Sequence, residues 1–279
     1  MPFEVDHPEV LDAVRRALEE DIGPGDVTSA ACIQAAQLAE GRFIARQELV
    51  VAGVELLPLI YRQRGAVEEL ELCRASGDRA QDGEALARVR GNARALLECE
   101  RVALNFLQRL SGIATLARRY AHAVAGTGCR ILDTRKTTPG LRRLEKMAAA
   151  AGGATNHRLG LWDAILIKNN HVTAAGGVRA ALERVRGVTA PVEIEVRTRE
   201  ELDEALACGA MWLLLDNLTP QQAADAVRHV AGRAKVELSG GITLDNVRAY
   251  AEAGADFISC GAITHSAPAV NINFRLRLI

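Results

Sequence analysis

Met-Trp-Leu-Leu-Leu-Asp-Asn at residues 211–217 and Lys-Val-Glu-Leu-Ser-Gly-Gly at residues 235–241 share one pattern, in which a short apolar run ends in polar residues. The pattern recurs from residue 129 onward at intervals of roughly 20–35 residues, the length of a strand followed by a helix. Nearly continuous apolar strands are typical of parallel sheets that are covered on both faces. Six such units, with space for one more strand, indicate a closed or nearly closed βα barrel. The predicted strands are Cys129–Asp133, Ala164–Lys168, Val192–Val196, Met211–Asp216, Lys235–Leu238 and Phe257–Cys260.

The first part of the chain lacks this regular alternation. Apolar residues at helical spacing and short strand-like runs follow one another without a fixed period, which is typical of a small α+β domain. A long amphipathic helix is predicted next, and such a helix can connect two domains. The elements predicted before the barrel are helices at 8–20, 54–64 and 92–125, and strands at 41–54, 67–73 and 85–91.

The composition excludes several classes of function. The chain has 279 residues, of which 49% are hydrophobic, and a net charge of −1. Because nucleic acids and membrane surfaces attract proteins with a basic excess, this balance argues against a general binder of either. The six cysteines include no Cys-x-x-Cys pair, so no zinc or redox site is predicted. With no apolar core of a signal peptide near Met1, we expect a cytoplasmic protein.

Polar residues stand at the end of each predicted barrel strand. In βα barrels the carboxyl ends of the strands form one rim, and this rim carries the active site. Charged residues at the ends of buried strands are costly unless they are paired or used, so the alternatives are a salt-bridged rim and a functional site. The candidate residues are Asp133, Thr134, Arg135, Lys136, Lys168, Glu195, Asp216, Asn217, Ser239, Gly240, Gly241, Cys260, Gly261 and Ala262.

Two consecutive strand ends carry glycines that are suited to a phosphate. Ser239-Gly240-Gly241 and Cys260-Gly261-Ala262 each precede a predicted helical segment. Glycine allows backbone N–H groups to approach an anion closely, and barrels commonly bind phosphate after their last two strands. The pair of turns therefore favours a phosphate site over ordinary turn glycines.

Cations gather near the first two barrel loops, and two acids lie on later strands. Arg135, Lys136, His157, Arg158 and Lys168 indicate a ligand with several anionic groups, because guanidinium groups pair bidentately with carboxylates. His157 is either such a ligand contact or a structural residue. The remaining cations are predicted to form a partly solvated helix face, and they are Arg142, Arg143 and Lys146.

The acids Glu195 and Asp216 allow three interpretations. They can neutralise the nearby cations. They can also hold Mg²⁺ or ribose hydroxyls, or stabilise a positive charge that develops during a reaction.

Several of these runs together resemble the quinolinate phosphoribosyltransferase family, also called nicotinate-nucleotide pyrophosphorylase (carboxylating). The likeness extends from about residue 8 to the last residues, and its most specific part is Asp-Thr-Arg-Lys-Thr-Thr-Pro-Gly at 133–140. The other matching runs are residues 20–29, 100–114, 156–158, 166–171, 214–217 and 237–242. The sequence departs from many relatives at Gln47, Ala154 and Asn169, and none of these is a proposed ligand.

The resemblance implies a reaction and a fold. Quinolinate and phosphoribosyl pyrophosphate would give nicotinate mononucleotide, pyrophosphate and CO₂ with Mg²⁺ as cofactor. The implied fold is an α/β protein with an N-terminal α+β open-sandwich domain and a C-terminal seven-stranded βα barrel. We place the first domain at residues 1–110, with 268–279 returning to it, and the barrel at 111–267. The implied assembly is a homodimer or a hexamer, with no nucleic-acid or membrane partner.

The resemblance also implies a role for each matching residue. Arg135, His157 and Arg158 would bind quinolinate with Thr134 nearby, and Arg101 would reach the site of the partner subunit. Lys136 and Lys168 would face quinolinate and the pyrophosphate, while Glu195 and Asp216 would hold ribose hydroxyls and Mg²⁺. Lys136, Lys168, Glu195 and Asp216 form the expected catalytic set. The 5′-phosphate would bind at Ser239, Gly240, Gly241, Cys260, Gly261 and Ala262.

Three alternatives remain open from the sequence. A paralogue of the same fold could act on another acceptor, as in the molybdenum-associated relatives. Lys168 at a strand end could form a Schiff base, as in barrel aldolases. A phosphosugar-binding module without catalytic activity is the third alternative, although such a module needs no acid pair opposite the cations.

Overall fold

The computed structural model describes residues 2–65 and 67–279, and the chain divides into two compact units. The first unit contains the residues up to Arg118 together with Thr137–Gly153 and Ile263–Ile279. The second unit contains Arg119–Lys136 and Ala154–Ala262. Among the described residues, no helix has both the length and the apolar character needed to cross a membrane.

The described residues form twelve strands and eleven helices. The strands are β1 (Leu38–Ala45), β2 (Leu49–Val50), β3 (Val67–Leu72), β4 (Arg79–Ala80), β5 (Ala85–Asn92), β6 (Arg130–Leu132), β7 (Ile165–Ile167), β8 (Val192–Val196), β9 (Trp212–Asp216), β10 (Lys235–Ser239), β11 (Phe257–Ser259) and β12 (Ile272–Leu278). The helices are α1 (Pro8–Ile22), α2 (Val27–Cys32), α3 (Leu56–Arg62), α4 (Ala93–Ala123), α5 (Arg142–Ala151), α6 (Asn169–Ala175), α7 (Val178–Arg184), α8 (Arg199–Ala207), α9 (Pro220–Val230), α10 (Val247–Glu252) and α11 (Ala262–His265).

The first unit is built on an antiparallel sheet with the strand order β12-β1-β5-β3. Burial alternates along β1, as expected for a strand with one face on the core. The C-terminal strand β12 pairs with β1 along its whole length, and Phe43 lies opposite Phe274 with ring centroids 4.8 Å apart. Gly41 gives the Phe274 ring its space, because a Cβ at this position would lie 2.0 Å from that ring.

The long helix α4 runs without a break through Gly112, as the predicted helix at 92–125 requires. A Cβ on Gly112 would lie 2.1 Å from the carbonyl oxygen of Pro268. The glycine therefore allows the C-terminal segment to pass close to the helix within the first unit.

Helix α5 contradicts the prediction of a partly solvated face. Lys146 is fully buried, and only 13% of the Arg143 side chain is exposed. The reason is that a continuous run of the helix, Leu144–Ala149, is buried, so no side of these turns faces water. Glu145 is also fully buried and accepts hydrogen bonds from Arg109 and Thr138.

The second unit is a parallel sheet with the strand order β6-β11-β10-β9-β8-β7. All six strands predicted for the barrel are present, and β7 to β11 each lead into a helix. Thr155 adds a bridge to Leu132 on the free side of β6, so this segment occupies a seventh strand position. The predicted α/β fold with a seven-stranded βα barrel and an antiparallel first unit is thereby confirmed.

Candidate active site at the carboxyl ends of the barrel strands

The barrel unit brings nearly all of the predicted site residues to one edge of its sheet. Since the strands are parallel, their carboxyl ends meet at the same rim. Thr134, Arg135 and Lys136 follow β6, and Lys168 follows β7. Residues at the end of a later strand or just after it are Glu195, Asp216, Ser239, Gly240, Gly241, Cys260, Gly261 and Ala262. Arg101 alone belongs to the first unit, where it is exposed on α4.

A cavity of about 590 Å³ opens beside β7 and is lined by three of the predicted cations, Arg135, Arg158 and Lys168. Burial and the neighbouring Arg135 charge lower the pKa of Arg158. Two guanidinium groups that repel each other in a partly buried space are stabilised when an anion binds between them. The cavity is therefore suited to a ligand with carboxylate groups.

The segment that carries His157 and Arg158 is fixed by Asp133, a candidate rim residue whose individual role was not predicted. Asp133 is fully buried at the end of β6 and accepts hydrogen bonds from the His157 N–H at 2.9 Å and from Asn156 Nδ2 at 2.6 Å. A carboxylate with two such donors holds the chain in one conformation. Asp133 thus sets the position from which His157 and Arg158 extend.

The glycine turn after β10 has a conformation that other residues rarely adopt. Gly240 and Gly241 have φ angles of 92° and 62°. The turn is held by the Asn217 N–H, which donates to the Ser239 carbonyl at 2.9 Å, and by Asn246 Nδ2, which donates to the Gly241 carbonyl at 3.1 Å. Because glycine has no side chain, backbone N–H groups stay accessible to an anion here.

Two other strand ends show how the rim residues are held. Asp216 is half-buried and accepts a hydrogen bond from Asn217 Nδ2 at 2.6 Å. Lys168 precedes α6, and its N–H donates to His171 Nδ1 at 2.9 Å, so His171 caps the start of this helix. Cys260 is buried, so any ligand contact in its turn comes from the backbone.

The sequence interpretation missed a second group of acids below the rim. Glu193 on β8 and Glu237 on β10 are only 4% and 2% exposed. Their carboxylates approach one nitrogen of His157, with Nε2 lying 2.9 Å from Glu193 Oε2 and 3.5 Å from Glu237 Oε2. Strand β9 lies between β8 and β10 in the sheet. The two side chains therefore meet across β9, on the face of the sheet that curves inward.

The acids of this group ionise with difficulty. Burial raises the pKa of Glu193 to about 7, against the lowering effects of a hydrogen bond with Glu237 and of the Arg158 and Lys168 charges. Burial and the adjacent Glu193 charge raise the pKa of Glu237 to about 8. A sequence signal for the pair existed, because Glu193 precedes Glu195 by two residues and side chains two apart share a face of a strand.

Comparison with known proteins shows which family this chain resembles. A family model described as the quinolinate phosphoribosyl transferase C-terminal domain matches residues 113–275. The corresponding N-terminal domain model matches residues 26–111. Together the two models cover almost the whole chain.

Individual relatives agree with this result. A protein of Bacillus subtilis named probable nicotinate-nucleotide pyrophosphorylase [carboxylating] is 41% identical over 93% of this chain and 90% of its own length. A nicotinate-nucleotide pyrophosphorylase [carboxylating] of Mycobacterium leprae is 41% identical over 95% of this chain and 96% of its own. The crystal structure of NadC from Streptococcus pyogenes is similar with a TM-score of 0.92 and 34% identity, over 100% of this chain and 98% of that one.

Proposed function

This chain belongs to the quinolinate phosphoribosyltransferase family, and from that premise we propose how its residues perform the reaction. The enzyme transfers the phosphoribosyl group of phosphoribosyl pyrophosphate to quinolinate. The products are nicotinate mononucleotide, pyrophosphate and CO₂, and the reaction belongs to NAD biosynthesis. A location in the cytoplasm stays a prediction.

The cavity beside β7 is the proposed quinolinate site, and the convergence of Arg135, Arg158 and Lys168 on its lining is the observation that carries this assignment. Quinolinate has two carboxylates, and each guanidinium can pair with one of them bidentately. His157 and Thr134 complete the contacts to the substrate. Lys168, which lines the same cavity, faces both quinolinate and the pyrophosphate, as does Lys136.

The second substrate is proposed to lie across the neighbouring strand ends. The 5′-phosphate would accept hydrogen bonds from the turns at Ser239–Gly241 and Cys260–Ala262, where the backbone is accessible. Glu195 and Asp216 come from adjacent strands, and their carboxylates would hold the ribose hydroxyls.

The same two carboxylates fit Mg²⁺, which prefers oxygen ligands and binds with few protein groups. Glu195 and Asp216 are half-buried at the ends of β8 and β9, where both a protein ligand and substrate oxygens can reach one ion. When bound, Mg²⁺ would neutralise charge on the departing pyrophosphate.

The chemistry follows from the charges of these groups. As the bond from ribose C1 to pyrophosphate breaks, positive charge develops on the ribose, and Glu195 and Asp216 stabilise it. The quinolinate nitrogen then bonds to C1 and becomes cationic. The carboxylate next to this nitrogen leaves as CO₂, and the electron pair of the broken bond stays on the ring carbon. A proton from solvent then bonds to this carbon. No dedicated base is needed for the last step.

The proposed site is completed by a second subunit. Arg101 lies in the first unit and is exposed on α4, so its guanidinium is accessible to another copy of the chain. We assign it to the partner's quinolinate site in a homodimer or a hexamer.

An assay with defined substrates tests the proposal. Purified protein with Mg²⁺, phosphoribosyl pyrophosphate and quinolinate should form nicotinate mononucleotide and CO₂ in equal amounts, and EDTA should abolish both. Arg135→Ala should remove activity, whereas Arg228→Ala, which changes an exposed cation on α9, should not. Equal use of nicotinate as acceptor would contradict the dicarboxylate site, and borohydride trapping at Lys168 would instead support a Schiff-base enzyme.

A further inference from the structure

The His157 ring is held on several sides within the barrel unit. Its Nε2 atom faces Glu193 and Glu237, and its backbone N–H donates to Asp133. The ring also meets Trp212 edge to face, with centroids 6.2 Å apart and an interplanar angle of 71°. A side chain that only filled space would not need two carboxylates at one nitrogen.

The two carboxylates are costly features of the core. Burying a carboxylate destabilises the folded chain unless hydrogen bonds compensate, and two adjacent carboxylates repel each other in addition. Glu193 Oε1 and Glu237 Oε2 are among the buried side-chain atoms of the described residues that have no hydrogen-bond partner. The folded state thus tolerates an incompletely satisfied carboxylate pair beside His157.

A pair of stacked aromatic rings lies next to the imidazole. Trp212 stacks on Phe257 with centroids 5.0 Å apart, and the Lys235 ammonium lies 5.9 Å from the Trp212 ring centroid. The charges that act on Glu193 come from the rim side and are Arg158, Lys168 and Glu195. The carboxylate pair therefore lies between the aromatic layer and the substrate cations, where it can fix His157 relative to both.

We propose that Glu193 and Glu237 are positioning residues for quinolinate. Glu193 accepts the hydrogen bond from the Nε2–H of His157. Glu237, on β10, lies beside the same Nε2 atom and limits its movement away from Glu193. Together they fix the ring plane and the nitrogen that carries the proton, so that the imidazole is already oriented when the substrate arrives. This inference rests on the proposed role of His157 in quinolinate binding.

The proposed role and a metal centre at the same atoms exclude each other. One ligand atom from each of His157, Glu193 and Glu237 lies within 4.8 Å of the others, which is a geometry that an ion could use. However, Nε2 already lies at hydrogen-bond distance from Glu193, and a nitrogen that donates a proton there has no lone pair for a metal. Metal analysis of the purified wild-type protein is part of the test.

Two kinetic variants separate positioning from mere stability. Glu193→Ala removes the acceptor and should raise the KM for quinolinate about tenfold or more, the size expected when a buried hydrogen bond to a binding group is lost. The KM for phosphoribosyl pyrophosphate should change less than about twofold in this comparison. Glu193→Gln keeps an acceptor oxygen and should restore the quinolinate KM, and Glu252→Ala on the exposed α10 pair serves as the control.

A spectroscopic measurement does not depend on activity. In ¹⁵N-histidine-labelled protein without substrates, the His157 signal, assigned by His157→Gln, should show a protonated Nε2. Glu193→Ala should abolish this preference, and Glu237→Gln provides a milder variant if Glu193→Ala does not fold. If the wild type forms no nicotinate mononucleotide, the proposed function fails, while this spectrum still tests the positioning of the ring.

Three results would overturn the inference. The first is an unprotonated Nε2 in the wild type, and the second is an equal rise of both KM values in Glu193→Ala. The third is a stoichiometric metal ion that is lost in Glu237→Gln, since the three side chains would then form a metal site.

Discussion

Gly240 and Asn217 are packed so closely that a Cβ on Gly240 would lie 2.2 Å from Asn217 Oδ1 and 2.7 Å from the Asn217 nitrogen. Both residues have positive φ angles, 92° for Gly240 and 59° for Asn217. Two neighbouring strand ends are therefore fixed against each other, since neither backbone can shift without moving the other. One of them carries Asp216 and the other carries the proposed phosphate turn.

Replacement of Gly240 should disturb substrate binding more than stability. Gly240→Ala forces Asn217 to move, and we expect the KM for phosphoribosyl pyrophosphate to rise about tenfold, with a stability loss of about 1–3 kcal/mol from the strained backbone. Gly176→Ala is the matched control, because Gly176 has φ 91° but open space around its Cβ position. Steady-state kinetics on both variants check this, and similar KM values in the two would contradict it.

The sequence predicted the barrel well because its signal is local. Each barrel strand is a short apolar run that ends in polar residues, and β9 and β10 show this within a few residues of sequence. The prediction that the polar residues form one rim followed from the strand assignment, since the carboxyl ends of parallel barrel strands lie together.

Features that depend on distant partners were not predicted. Lys146 was expected to be partly solvated, yet it lies on a helix that is buried through Leu144–Ala149. His157, Glu193 and Glu237 come from widely separated parts of the sequence, and only the curvature of the sheet brings them together. The local pattern of Glu193 and Glu195 showed that both share a face, but nothing local showed which residue they would contact.

The stability of the protein should depend on pH through Glu237. Its pKa is about 8 in the folded state and near the ordinary 4.5 in the unfolded state, so the folded state binds the proton more tightly. The contribution of Glu237 to the free energy of unfolding is therefore fully present below about pH 4.5 and is lost as the pH rises towards 8. Glu237→Gln cannot ionise, so its stability relative to the wild type should improve by a few kcal/mol, on the order expected from such a shift, between pH 5 and pH 8.

Urea unfolding of both proteins at several pH values measures this difference. His157→Gln keeps both carboxylates and serves as the control, in which the pH dependence should persist. A difference between Glu237→Gln and the wild type that stays constant from pH 5 to pH 8 would show that Glu237 does not titrate in this range.

Within the first unit, the buried Glu145 should be important for stability. It accepts hydrogen bonds from Arg109 at 2.8 Å and from the Thr138 hydroxyl at 2.7 Å, and it is fully buried. Glu145→Ala leaves these donors without this acceptor, and we expect the free energy of unfolding to fall by about 2–4 kcal/mol. This is less than for a fully buried ion pair, because the Arg109 side chain is 27% exposed. Asp225→Ala, which breaks an exposed pair with Arg228, should cost less than about 0.5 kcal/mol in the same denaturation measurement.

The assignment of Arg101 to the partner's site can be tested by mixing two inactive variants. If each site uses its own Arg135 and the partner's Arg101, a dimer of one Arg101→Ala and one Arg135→Ala subunit contains one intact site and one doubly altered site. Random pairing makes half of the dimers mixed, so co-expression of the two variants with different tags should restore about a quarter of the wild-type activity. Arg135→Ala mixed with Arg158→Ala is the control, because both changes fall in the same chain's site and no intact site can form. Absence of recovery in the first mixture, with mixed dimers demonstrated by tandem purification, would show that Arg101 acts within its own chain or not at all.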